Sequence, residues 1–149
     1  MSWAFVPQPM SDRQITAQNK ALVAKRARYC CEYCLSQVAY SPDSFSIDHV
    51  VPRTVGGTND LENLAFACLG CNTRKFTFTA AVDPVTGLEA PLYHPRHHQW
   101  HDHFMWDDDF FLLVGLTPTG RATIERLQLN RTGTVNLRIA LSRIGKHPP

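Results

Sequence analysis

Two Cys-x-x-Cys pairs, Cys31-Glu-Tyr-Cys34 and Cys68-Leu-Gly-Cys71, constrain this chain more than any other feature. Thiols at that spacing chelate one ion from a short turn, and two such turns complete a tetrahedral shell with no open position. The sequence therefore predicts a closed, structural Zn²⁺ site made by Cys31, Cys34, Cys68 and Cys71. Such a site contributes on the order of 10 kcal/mol to a unit with little core of its own. The gap from Cys34 to Cys68 is longer than a simple ribbon needs, so it implies an inserted subdomain. The alternatives are two unrelated buried thiol pairs or a cysteine nucleophile. Paired spacing argues against the first, and the lack of an isolated cysteine beside a base against the second. Cys30 reads as a bystander.

With 149 residues, 44% hydrophobic and 19% charged, the chain has the size and make-up of one ordinary globular domain. No apolar run approaches the roughly 20 residues that cross a bilayer. The first residues lack a basic start followed by an apolar core, so no secretory signal is read, and paired thiols suit a reducing, cytoplasmic compartment. The formal charge of +2 hides two basic flanks. Arg13, Lys20, Lys25, Arg26 and Arg28 form one, without acids, and residues 121–146 form the other, with Glu125 as its single acid. Such flanks suit a phosphate backbone, although a charged helix face is commonly just solvated.

Periodicity and punctuation predict an α+β fold. A helix over 13–29 is capped by Ser11 or Asp12 and puts Ile15, Leu22, Val23 and Ala27 on one side. A strand over 44–51 places Phe45, Ile47 and His49 on one face and Asp48 on the other, and Pro52 ends it. Residues 56–60 are a turn cluster in which Asp60 caps a short helical turn through Asn63. A return strand over 65–67 and a helix starting near Cys71, carrying Asn72, Arg74 and Lys75, complete a ββα unit. Beyond Thr79 the expectations are a turn at 83–87, extended chain at 91–95 and a strand over 110–116. A turn at 117–120 then precedes a helix from Arg121, and a last amphipathic helix follows with Leu137, Ala140, Leu141 and Ile144. The predicted division is a core over 11–80 and a C-terminal extension over 81–149 packed on it.

Phosphodiester hydrolysis needs a water, a base to deprotonate it, and positive charge at the phosphate. His49 has the intrinsic acidity of a base working near neutrality. Asp48 points to the other side of a regular strand, so a metal ion at a twisted strand end would let both residues serve one phosphate. Asn72 offers a second oxygen ligand. A carboxylate and an amide oxygen are hard donors, favouring Mg²⁺ or Mn²⁺ with waters in the remaining positions. The plainer alternative makes Asp48-His49 a hydrogen-bonded strand ornament and the asparagines caps.

The pattern Cys31-x-x-Cys34, Ile47-Asp48-His49, Pro52, Gly56-Gly57, Asn59-Asp60, Asn63-Leu64, Cys68-x-x-Cys71-Asn72 and Lys75 resembles the HNH endonucleases in their zinc-knuckle ββα-metal form. The resemblance covers about residues 28–75. It implies His49 as general base, Asp48 as metal ligand, Asn63 as the residue bracing the loop that aims His49, and Asn72 in the third position. That third position departs from the family name in being Asn rather than His. The implied activity is metal-dependent cleavage of DNA to 3′-hydroxyl and 5′-phosphate ends. Duplex DNA is the expected substrate, with single-stranded DNA and RNA left open. The rival reading is a non-catalytic zinc-ribbon module that binds nucleic acid or protein.

Arg53, Arg74, Lys75 and Arg96 are candidate DNA contacts, joined by Arg121, Arg126 and Arg131. Residues 94–103 hold five of the seven histidines, His97 and His101 at i, i+4 spacing, and read as packing or phosphate contacts ahead of a second metal site. The segment from Leu92 to Arg131 resembles the C-terminal extension of one bacterial HNH subgroup, and no catalytic role is carried over from it.

Overall fold

The computed structural model describes residues 14–149. Helix α1 (Ala17–Arg26) starts where the Thr16 hydroxyl accepts the Asn19 amide at 3.1 Å. It is shorter than the predicted 13–29, and the expected caps Ser11 and Asp12 lie outside the described residues. Val23 is fully buried with Leu64 and Phe66, and Ile15, Ala24 and Ala27 pack around them. Leu22 is the exception to the predicted apolar side: it stands half-exposed. Arg28 and Tyr29, both at positive φ, turn the chain out of α1 into the first cysteine pair.

Strands β1 (Ser46–His49) and β2 (Leu64–Ala67) pair antiparallel, with Asp48 opposite Ala65 and His49 opposite Leu64. Helix α2 (Leu69–Lys75) follows at once, because Cys68 acts as its cap and its Sγ accepts the Cys71 amide at 3.4 Å. The helix thus begins two residues before the predicted start. The turn over Leu61–Asn63 forms, yet the Asp60 side chain does not cap it, taking the Thr58 hydroxyl at 3.0 Å instead.

Downstream come two further hairpins and three helices. Strands β3 (Ala80–Val82) and β4 (Glu89–Pro91) were not foreseen, and they flank the predicted turn at 83–87. After α3 (Trp100–His103), strands β5 (Phe104–Trp106) and β6 (Leu113–Gly115) pair. Of the strand expected over 110–116, Leu113–Gly115 forms, and the chain bends before it. Phe110 is at φ 64°, and Asp107 Oδ1 accepts the amides of Phe111 and Leu112 at 2.9 and 3.1 Å. Thr117 caps α4 (Pro118–Leu127), so the residues read as a turn are its first, proline-led helical turn. Helix α5 (Thr132–Arg143) closes the chain, with Leu141 buried and Ile144 exposed beyond its end.

One apolar core joins the two regions. Cys31, Tyr33, Cys34, Val50, Ala65, Ala67, Cys68 and Cys71 pack with Leu92, Tyr93, Phe104, Leu113, Leu127 and Leu129. The hairpin has few large apolar residues, so the downstream half supplies most of the filling behind it. Among the described residues no helix is long and apolar enough to cross a membrane.

Candidate active site and metal centre

The four cysteines are buried, and their sulfurs all lie within 4.8 Å of one another. Cys34 Sγ and Cys68 Sγ are 3.7 Å apart. A tetrahedral ion at the usual metal–sulfur length of about 2.3 Å sets sulfurs about 3.8 Å apart, so the cluster fits a bound ion. Burial pushes the Cys31 thiol up, so its thiolate form needs a cation beside it. The first pair is a tight knuckle: the Cys31 amide donates to Ser36 O at 2.8 Å, the Leu35 amide to Cys31 O at 2.9 Å, and Leu35 takes φ 61°. Glu32 fastens this knuckle to β2, its carboxylate accepting the Phe66 amide at 2.8 Å.

Asp48 and Asn72 face the same seam between β1 and α2. Asn72 Nδ2 donates to Ser46 Oγ at 2.8 Å, and Ser46 shares a strand face with Asp48. One turn further along α2, Lys75 reaches Asp48 Oδ2 at 3.2 Å, and also donates to the carbonyls of His49 and Val50 at 3.3 and 3.0 Å. The Tyr33 hydroxyl donates to the same Asp48 oxygen at 2.6 Å. Burial pushes the Asp48 carboxyl up, and the Lys75 ammonium and Tyr33 hydroxyl oppose that shift. Burial and the neighbouring Asp48 charge likewise hold the Tyr33 phenol well above its ordinary value.

Lys75 is only 1% exposed, so it is corrected from a DNA contact to an internal clamp. A carboxylate and a side-chain amide are donor types that a hard divalent cation takes. Tyr33 and Lys75 already engage the carboxylate, so Asp48 has at most one oxygen to offer such an ion, and water or substrate would fill most of the shell.

His49 is half-buried, and its Nε2 lies 2.7 Å from Asn59 Oδ1. Arg53, which only donates, faces the same atom at 3.4 Å, identifying it as the amide oxygen. Nε2 therefore donates, and in the neutral imidazole the lone pair is on Nδ1. Asn63 spans the base of the intervening loop. Its Oδ1 accepts the Val51 amide at 2.9 Å, while Nδ2 donates to Val51 O at 3.0 Å and Thr58 O at 2.9 Å. The loop is closed so tightly that a Cβ on Gly57 would sit 1.7 Å from Val51 O.

Sequence reasoning assigns no role to Tyr33 or to Asn59, although Asn59 stands in the family-like pattern. Both sit where spacing alone gives no signal, one inside a knuckle and one inside a turn cluster read as punctuation.

The basic candidates separate sharply. Arg53 and Arg74 are exposed. Arg96 is instead paired with Glu32 and mostly buried. Arg121 grips Asp83 in a two-bond fork of 2.9 and 2.8 Å, and Arg126 stays exposed with its guanidinium 3.7 Å over the Phe78 ring. Arg131 is aimed at the sulfurs of Cys68 and Cys71. In the histidine-rich segment His97 precedes α3, so the i, i+4 pairing with His101 is not formed. There His94 stacks on His97 at 3.8 Å, its Nδ1 accepts the Arg96 amide, and its imidazole is pushed down to about 4 by burial and by His97 and His98.

In comparison with known proteins, the family model for HNH endonucleases matches residues 31–77. No curated protein and no solved structure matches the chain.

Proposed function

We propose, on the match of residues 31–77 to the HNH endonuclease family model, that the protein hydrolyses DNA phosphodiester bonds with His49 as general base. The observation that carries the reading is the held imidazole. Asn59 fixes Nε2–H, leaving Nδ1 as the basic nitrogen, at the end of a loop that Asn63 ties at three points. Nδ1 takes a proton from water as its oxygen attacks phosphorus. The P–O3′ bond breaks and the departing O3′ takes a proton from solvent water, leaving a 3′-hydroxyl and a 5′-phosphate.

Asp48 and Asn72 are the residues that would hold Mg²⁺ or Mn²⁺, which when bound supplies positive charge to the phosphate and the departing oxygen. Cys31, Cys34, Cys68 and Cys71 would hold Zn²⁺ as a structural ion. Arg53 and Arg74, exposed beside the loop and on α2, are the proposed backbone contacts.

The test is cleavage of supercoiled plasmid, single-stranded DNA and RNA with each divalent ion, for wild type and His49→Ala. The expected result is divalent-dependent cutting of plasmid that falls about 10²–10⁴-fold in the variant, with folding and zinc content unchanged. Wild-type cutting rates in His49→Ala would remove the base assignment. A protein that binds DNA but cuts nothing under any ion would return the reading to a binding module.

A further inference from the structure

Four thiolates around a divalent ion carry a formal charge of −2, and burying such a charge uncompensated is unfavourable. The compensation comes from outside the family-matched segment. Arg131, which precedes α5, directs NH2 to Cys68 Sγ at 3.3 Å and NH1 to Cys71 Sγ at 3.5 Å, one fork across both sulfurs of the second knuckle. Its aim is fixed by the turn between α4 and α5. Gln128 is left-handed there, the Arg131 amide donates to Gln128 O at 3.0 Å, and the Asn130 side chain is locked to both backbone groups of Leu113. Arg138 supplies a second buried cation, but it meets the first knuckle at the Cys34 carbonyl, 3.4 Å away, rather than at sulfur.

Gly70 gives an independent sign of the same arrangement. A Cβ there would lie 2.6 Å from Arg131 NH2 and 2.9 Å from its central carbon. The residue between Leu69 and Cys71 must therefore be small for the guanidinium to reach the sulfurs.

We propose that Arg131 is the cation that completes the cysteine metal centre, reaching it through the gap left by Gly70, so that the C-terminal region governs how firmly the metal is held. The inference rests on the four cysteines holding zinc. N–H donors on the sulfurs draw off thiolate charge, which stabilises the loaded cluster and makes its sulfurs poorer targets for electrophiles.

The two sites allow separate tests. Arg131→Met removes the donor. Gly70→Ala displaces it while keeping the charge, and alanine suits a helical position, so the fold is expected to survive. Zinc stoichiometry is measured first, then the rate of zinc transfer to a chromogenic chelator. The sulfur-to-metal charge-transfer band of the Co²⁺-loaded proteins follows.

One zinc per wild-type chain is expected, with zinc loss about 10-fold faster or more in both variants. Arg131→Lys should lie between wild type and Arg131→Met. The Co²⁺ band should move to longer wavelength in both variants, a change that simple loosening of the fold would not produce. A zinc-free wild type would overturn the metal assignment and this inference with it. Zinc-loaded proteins with wild-type release rates and band positions would overturn the role of Arg131 alone. Faster release in Arg131→Met with a folded, unaffected Gly70→Ala would also overturn it, assigning Arg131 instead to the carbonyls of Leu127 and Gln128.

Discussion

The segment 31–77 and the chain that follows it are held together by different means. In the first, position is set by individual polar atoms: four sulfurs, the Asp48–Lys75–Tyr33 cluster in the β1–α2 seam, and the three bonds of Asn63. In the second, three-residue strands and short helices are placed by apolar contact around Phe104, Leu113, Leu127 and Leu129, with charged side chains as fasteners. A site that must aim an imidazole needs directional bonds, whereas a backing layer needs only volume. The hairpin cannot fill its own interior, and the backing layer supplies that volume together with the Arg131 guanidinium at the cysteine sulfurs.

The strongest way to break this division is to remove the metal. Chelation, or Cys71→Ser, takes away an interaction worth on the order of 10 kcal/mol, comparable to the whole stability of a domain. Because the cysteines share one core with the downstream leucines, both regions are expected to lose cooperative thermal unfolding together. Hydrogen exchange by region checks this: persistent protection in α4 and α5 without metal would show the backing layer to be independently stable.

The next largest effect is expected from Lys75→Met, which strands a buried carboxylate. Breaking such a pair from one side costs about 3–5 kcal/mol, to be read by denaturant unfolding. The pH dependence follows from the sign. Asp48 is already pushed up by burial, so its ionisation works against the native state, and stability declines as pH rises from the unfolded value near 4 through the native one. Without the ammonium that decline deepens and extends to higher pH. The gap between wild type and variant should therefore widen from acid toward neutrality. A double variant, Asp48→Asn with Lys75→Met, should recover part of the loss.

The same division explains what could be read from the sequence. Cysteine spacing is legible because chelation prescribes thiols at set intervals, and the four sulfurs do converge; the proposed roles of Asp48, His49 and Asn72 rest on residue type in the same way. The ββα order follows from Pro52, the glycine turn and the alternation around Ile47. The hairpins β3–β4 and β5–β6 escaped because three-residue strands carry too little periodicity, and the left-handed Phe110 broke a run that looked continuous. A charge count reads Lys75, Arg96 and Arg131 as DNA contacts because it sees the head group and not its burial. Nothing local to Arg131 signals sulfurs some sixty positions away.

Asn63→Ala tests the directional bonds at intermediate magnitude. It leaves the Val51 amide and two carbonyls without their partner, at a cost of about 1–3 kcal/mol. As a positioning residue Asn63 should affect turnover more than binding. Cleavage by the variant is expected to fall about 10-fold or more in kcat at near-constant KM. A KM effect alone would make the loop a substrate contact instead.

The smallest effect is expected at Asp83, a fastener of the backing layer. The Arg121 guanidinium, with the Val85 amide and Thr86 hydroxyl, holds its carboxyl well below the usual range. The sign is opposite to that at Asp48. A depressed native value means the ionised form favours folding, fully above the unfolded value near 4 and progressively less as pH falls toward the native one. Asp83→Asn should therefore lower the melting temperature modestly at pH 7, and the difference should shrink at pH 3. Cleavage activity should be untouched, because Asp83 braces volume rather than aim. A large loss of cleavage in a folded Asp83→Asn protein would mean that the backing layer also sets the geometry at His49, and the separation between the two regions would fail.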